Sequence, residues 1–124
     1  MRFWKLFFIV AALFNFLAGL PMILTPEAVL ASVDMPVPAD LLFHKVSGLL
    51  VIGFGIIYAF VAFDLARYKP LVWAGVAGKF GVVVLFGNAW MQGLMTFSAF
   101  SVVLGDLVFT VGFLVFLLSP SAKA

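Results

Sequence analysis

The chain is dominated by four long apolar segments, and short polar stretches separate them. The segments run from about Phe3 to Leu24, Leu41 to Phe63, Leu71 to Gln92 and Phe97 to Leu118. A helix needs about 20 apolar residues to cross the hydrocarbon core of a bilayer, and each segment has that length. The pattern therefore predicts an all-α integral membrane four-helix bundle with short loops, forming a single transmembrane domain over residues 1–124.

The longest connection, from Thr25 to Asp40, carries the strongest local signal outside the four segments. Pro26 and Glu27 are typical of the first turn of a helix, where proline loses no needed N–H donor and an acidic side chain suits the helix dipole. We therefore expect a short interfacial helix from Pro26 to Val33. The remaining connections, residues 64–69 and 93–96, are short.

The composition supports a membrane environment and excludes several function classes. The chain is 66% hydrophobic and 10% charged, whereas a soluble domain is about half apolar and a quarter charged. Membrane lipid is therefore the expected partner, and no nucleic-acid partner is expected because no basic stripe could neutralise phosphates. With one histidine and no cysteine, no metal site, cofactor or catalytic constellation is predicted, and the expectation leans away from an enzyme.

Charge separates the two ends of the predicted bundle. Alternating spans place one group of basic residues on one side and the acidic first loop on the other: Arg2, Lys5, Arg67, Lys69 and Lys123 against Glu27, Asp34 and Asp40. The positive-inside rule then predicts a multi-pass protein of the cell inner membrane with both termini in the cytoplasm. The first segment resembles a signal peptide. It has 19 residues without a charge, however, more than the ~7–15 of a secretory signal, and this favours a retained anchor.

Two ionisable residues lie deep inside the predicted spans. A charged side chain at the bilayer centre costs about 2.5–3.5 kcal/mol on insertion scales, so Lys79 and Asp106 are candidate functional residues. Their predicted depths overlap, and an interhelical ion pair would satisfy both. Asn15 lies at a similar depth in the first span. Two interpretations stay open: a pair that only sets helix register, or part of a ligand or ion site.

A second polar layer is predicted near the opposite edge, beneath the acidic loop. Its members are His44, Lys45 and Ser47 on the second span and Asn88 and Gln92 on the third. They are either interfacial residues beside water or the mouth of a site that admits a ligand. The candidate binding residues are therefore Asn15, His44, Lys79, Asn88 and Asp106.

Several short motifs together resemble small bacterial four-span membrane proteins of the DoxX-like kind. The motifs are Asn15-x-x-x-Gly19-Leu20, Pro26-Glu27, His44-x-x-x-Gly48, Phe54-Gly55-x-x-Tyr58, Gly78-Lys79 and Gly105-Asp106-Leu107. The resemblance implies a four-helix bundle associated with redox or lipid metabolism at the membrane. Cysteine-based redox chemistry does not carry over, because this chain has no cysteine.

The sequence favours a non-enzymatic membrane protein, either a small subunit of a membrane complex or a binder of a lipid-like or quinone-like molecule. Its possible partners include another membrane protein or a second copy of the chain. The alternative is a small transporter or channel that uses Lys79, Asp106 and Asn15 as its polar path, and a membrane enzyme is the third hypothesis.

Overall fold

The computed structural model describes residues 2–119, and within them every regular element is helical. The helices are α1 (Arg2–Leu24), α2 (Pro26–Ser32), α3 (Leu42–Phe63), α4 (Leu65–Tyr68), α5 (Val72–Met91), α6 (Phe97–Ser101) and α7 (Leu104–Leu118), with a 3₁₀ turn at Lys69–Leu71 between α4 and α5.

Four helical stretches are long and apolar enough to cross a membrane, as predicted for a multi-pass membrane protein. They are Arg2–Leu24, Leu42–Phe63, Leu65–Met91 and Phe97–Leu118. The chain therefore alternates between two ends. The terminal end carries the start of α1, α4 and the end of α7, and the loop end carries α2 and the α5–α6 connection. Lys123, predicted on the basic side, lies outside the described residues.

The first connection contains the expected short helix, since α2 covers Pro26–Ser32 with proline in its first turn. It ends where Asp34 takes a left-handed backbone conformation (φ 58°). The N–H groups of Asp34 and Met35 then donate to Ala31 and Leu30, which satisfies carbonyls that the helix end leaves free. These bonds close the C-terminal end of α2 at the start of the loop that continues to Asp40.

The fourth segment spans Phe97–Leu118 as predicted, but its helix is interrupted at Val102 and Val103. The N–H groups of these residues donate to carbonyls three residues back, at 3.4 and 3.0 Å, before the four-residue spacing resumes at Leu107. The Ser101 hydroxyl donates to the Ser98 carbonyl at 2.7 Å. The side chain thus satisfies a backbone group within the apolar segment, as such a group must be inside a membrane.

The most extensive helix contact is that between α1 and α3, followed by that between α5 and α7. We call these the first and second helix pairs. The first pair is close because Gly19 and Gly48 face each other, and a Cβ on either would lie 2.8 Å from the carbonyl oxygen of the other. Small residues promote association of helices in lipid in this way, because they let backbones approach.

Aromatic side chains join the two pairs in the half nearer the terminal end. Phe8 of α1 stacks on Phe113 of α7 with centroids 5.5 Å apart, and Tyr58 of α3 lies 5.0 Å from the same ring. Gly75 of α5 leaves space for Tyr58, since a Cβ there would lie 2.8 Å from that ring. Rings of this size supply the close packing that holds helices together in lipid.

The two pairs are less tightly joined toward the loop end. The buried residues of α5 are Val72, Gly75 and Lys79, and none of its residues beyond Lys79 is buried. On α3 the only buried residue before Gly55 is Gly48, which faces α1. Lys79 therefore lies where close packing between the pairs ends.

Candidate functional site

Lys79 is the centre of a polar cluster buried among all four long helices. Its ammonium donates to Oδ1 of Asp106 at 2.7 Å and to Oδ1 of Asn15 at 3.0 Å. The exposed fraction of the side chain is 8% for Lys79 and 20% for Asp106. The predicted ion pair between α5 and α7 is therefore confirmed, and Asn15 of α1 joins it. The role of these residues in binding stays a prediction.

Asn15 extends the cluster to α3 through the other end of its amide. Its Nδ2 donates to the backbone carbonyl of Val51 at 2.9 Å. This approach requires Gly55, because a Cβ there would lie 2.8 Å from the Phe16 ring and 3.1 Å from Cβ of Asn15. One continuous hydrogen-bonded chain, from Val51 through Asn15 and Lys79 to Asp106, therefore links α3, α1, α5 and α7.

Aromatic rings cover the part of the ammonium that the two oxygens leave free. Nζ of Lys79 lies 5.0 Å from the ring centroid of Phe14, 5.2 Å from that of Phe109 and 5.8 Å from that of Tyr58. A ring face attracts a cation within about 6 Å, and the attraction is stronger away from water. The lysine therefore has partners on several sides and little remaining surface for a ligand.

Asp106 has a different environment from its partner. It lies in the first turn of α7, where the helix dipole favours a negative charge. Oδ1 accepts the bond from Lys79, while no hydrogen bond from residues 2–119 reaches Oδ2. With a fifth of its side chain exposed, Asp106 presents the accessible oxygen of the cluster.

Tyr58 is a buried polar residue that was not among the predicted site residues. The residue is fully buried, and its hydroxyl has no hydrogen-bond partner within the described part of the chain. It faces α5, where a Cβ on Gly75 would lie 2.9 Å from the hydroxyl oxygen. In the sequence, the motif Gly55-x-x-Tyr58 places the tyrosine about one helical turn from Gly55. This spacing could have indicated that Tyr58 is buried, but it does not indicate a polar role.

The second predicted layer is not part of the Lys79 cluster. Asn88 is exposed and accepts a hydrogen bond from Nε2 of Gln92 at 3.3 Å. His44 is half-buried at the start of α3, and its Nε2 is buried without a partner in residues 2–119. No hydrogen bond or ion pair between described residues connects either of them to Lys79. The binding role of His44 and Asn88 stays a prediction, and no hydrogen bond or ion pair among residues 2–119 joins these two residues to the Lys79 cluster.

The described residues contain no group of three or more His, Cys, Asp or Glu side chains that could hold a metal ion. The arrangement around Lys79 offers an ion pair, an amide and a partly exposed carboxylate oxygen. The ion pair and the amide hold the four long helices together, and the exposed carboxylate oxygen can accept a hydrogen bond from a neighbouring group.

No protein-family model matches the chain, and neither does any curated protein or solved structure.

Proposed function

We propose that this chain is a non-enzymatic four-helix membrane protein that binds a lipid-like molecule beside Asp106. The proposal rests on a difference in burial between the two residues of the ion pair. The Lys79 side chain is buried, whereas that of Asp106 is 20% exposed and its Oδ2 accepts no hydrogen bond from residues 2–119. A polar group exposed to hydrocarbon is costly unless something satisfies it. A polar group from a bound amphiphile would remove that cost.

The chemistry of the exposed atom narrows the class of ligand. An ionised carboxylate only accepts hydrogen bonds, so the ligand must carry a donor, either a hydroxyl or an N–H. A quinone offers only carbonyl acceptors, and the group that could donate to them, the Lys79 ammonium, is covered by Phe14 and Phe109. The proposed ligand is therefore a hydroxyl- or N–H-bearing amphiphile, such as a quinol or a lipid alcohol.

Competition between a long-chain alcohol and its methyl ether tests this proposal. The two probes have the same apolar chain, and only the alcohol can donate to Asp106. The reconstituted protein should retain the alcohol roughly tenfold better, since a hydrogen bond to a charged group contributes about 1.5 kcal/mol. Native mass spectrometry of protein released from the bilayer measures the retained amount of each probe.

The matched variant is the double replacement Lys79→Met with Asp106→Ala, which removes the acceptor without leaving a buried unpaired cation. It should fold, as judged by helix content, and lose the preference for the alcohol. Asn88→Leu, at an exposed position outside the cluster, should keep it. Equal retention of alcohol and ether by the unmodified protein would contradict the proposal.

A small transporter or channel is the second candidate, and the interruption at Val102–Val103 favours it. Membrane transporters often place broken helices beside their binding sites, and this break lies close to Asp106. Flux of small ions or polar solutes into proteoliposomes, abolished by the same double variant, would support this candidate over the first.

The proposal includes placement in the inner membrane of a bacterium, with both termini in the cytoplasm. Basic residues at the terminal end and acidic residues at the loop end support that orientation. Membership of the DoxX-like group and association with a second membrane protein or a second copy are part of the same proposal, and the motifs around Asn15, Tyr58, Lys79 and Asp106 support the first of these.

A further inference from the structure

Among residues 2–119, the terminal end of the bundle carries more basic than acidic side chains. Four basic side chains lie there with one carboxylate, that of Asp64: Arg2, Lys5, Arg67 and Lys69. Within residues 2–119 none of the four forms an ion pair, and Oδ1 of Asp64 accepts the backbone N–H of Arg67 at 3.2 Å. The positive charge at this end therefore attracts anions at the membrane surface.

Two clefts open at this end, and Ala66 of the short helix α4 lines both. The larger, about 490 Å³, is lined by Ala66, Lys69, Pro70, Trp73 and Leu117. The smaller, about 340 Å³, also reaches Ala66 and contains Arg2 and Lys5. The larger volume lies in the range of about 300–1,000 Å³ that is usual for small-molecule sites.

The larger cleft combines one cation with an apolar wall. Trp73 is 53% exposed and lies in the first turn of α5, at the height where tryptophan commonly marks the membrane interface. Lys69 makes a long contact of 3.4 Å to the Ser119 carbonyl and lies 5.4 Å from the Phe116 ring centroid. Because an ammonium has three donors, capacity remains for a further acceptor.

We propose that the larger cleft binds an anionic phospholipid, with its phosphate on Lys69 and the start of an acyl chain against Trp73 and Leu117. The Lys69 ammonium matches a phosphate in charge, and the apolar wall matches a lipid tail. A soluble anion would use the first feature and leave the second without a role. This site lies at the terminal end of the bundle and does not depend on the function proposed for Asp106.

Fluorescence of Trp73 provides a direct test in the full-length protein. The chain has three tryptophans, so replacing Trp4 and Trp90 by phenylalanine leaves Trp73 as the reporter. The protein is placed in phosphatidylcholine bilayers that contain a minor share of phosphatidylglycerol with brominated tails. If the site is selective, Trp73 should be quenched more strongly than that share predicts, and more strongly than by the same share of brominated phosphatidylcholine.

The decisive comparison is between two lysines. Lys69→Gln should lower the excess quenching roughly fivefold, since a basic residue near an anionic surface contributes that order of attraction. Lys45→Gln makes the same charge change at an exposed position at the loop end and should leave the quenching unchanged. Equal effects of the two variants, or quenching in proportion to the bulk lipid share, would overturn the proposal.

A second measurement does not need the tryptophan replacements. The otherwise unmodified chain, released from mixed bilayers into a mass spectrometer, should retain phosphatidylglycerol in preference to phosphatidylcholine. Lys69→Gln should lower that preference roughly fivefold, and Lys45→Gln should leave it unchanged. Retention of both lipids without preference would refute the site. The alcohol and ether probes for Asp106 are uncharged, so the failure of one proposal is distinguishable from the failure of the other.

Discussion

The ammonium of Lys79 lies 2.7 Å from Oδ1 of Asp106, and this contact joins α5 to α7 where the close packing between the helix pairs ends. Replacing Asp106 by Asn should therefore destabilise the protein by roughly 3–5 kcal/mol, because it leaves a buried cation without its counter-ion. Unfolding of the reconstituted protein by a denaturing detergent, followed by helix content, measures the loss.

The double variant Lys79→Met with Asp106→Asn provides the control. Removing both charges removes the buried cation, so much of the lost free energy of unfolding should return. Lys79→Met alone completes the cycle. If its loss of stability and that of Asp106→Asn add up to the loss in the double variant, Lys79 and Asp106 are not energetically coupled.

Asn15 connects the ion pair to the first helix pair through its bonds to Lys79 and to the Val51 carbonyl. Asn15→Leu should lower the free energy of unfolding by about 0.5–2 kcal/mol, the order found for polar contacts between membrane helices. Asn88→Leu is the matched control, since Asn88 is exposed and outside the cluster. A similar loss in both variants would show that the position in the cluster does not matter.

The close contact between Gly19 and Gly48 should make the packing of α1 on α3 sensitive to side-chain size at Gly48. Gly48→Ala should cost about 1–3 kcal/mol, because the new methyl group would lie 2.8 Å from the Gly19 carbonyl oxygen. Gly81→Ala should be neutral or stabilising by up to about 1 kcal/mol, since nothing lies within 4 Å of its Cβ position and alanine favours helix. Thermal melting of both variants in the same detergent measures the difference, and tolerance of Gly48→Ala would contradict the close approach.

The hydroxyl of Tyr58 is buried without a hydrogen-bond partner among residues 2–119. Tyr58→Phe should therefore leave the free energy of unfolding unchanged or raise it by about 1 kcal/mol, because an unsatisfied polar group is removed and the ring is kept. Equilibrium unfolding compares the variant with the unmodified chain. A clear loss of stability would mean that the hydroxyl has a partner in the membrane.

The orientation makes a separate prediction about the two ends of the bundle. A reporter fused at Ala124 should be active on the cytoplasmic side, and one inserted between residues 33 and 38 should be active on the other. The physical reason is the excess of basic residues at the terminal end. Reporters with the same sidedness would contradict an even number of spans.

The sequence alone determined the number of membrane helices and most of their bounds, because length and hydropathy are local properties that the bilayer thickness makes decisive. The pairing of Lys79 with Asp106 was also predictable. Two opposite charges at similar depth in an apolar medium have few other ways to be satisfied. The short helix α2 followed from Pro26 and Glu27 for an equally local reason.

Only the tertiary structure decided which faces of the helices meet. The sequence contains many glycines with similar spacing, yet Gly48 contacts another helix closely while Gly53 and Gly81 have open space beside them. The helix interruption at Val102 and Val103 could not be predicted from the sequence either, since both residues are apolar and suit a continuous helix.

The contacts within the candidate site also depend on how the helices pack. Asn15, Lys79 and Asp106 come together, while His44 and Asn88, which the sequence placed in a separate layer nearer the loop end, do not join them. The sequence specified their depth, because each residue adds a constant rise along a helix. The rotation of each helix about its own axis comes from the packing of Gly19 on Gly48 and from the aromatic contacts among Phe8, Tyr58 and Phe113. That rotation decides which polar side chains face one another, and it exists only once the helices have assembled.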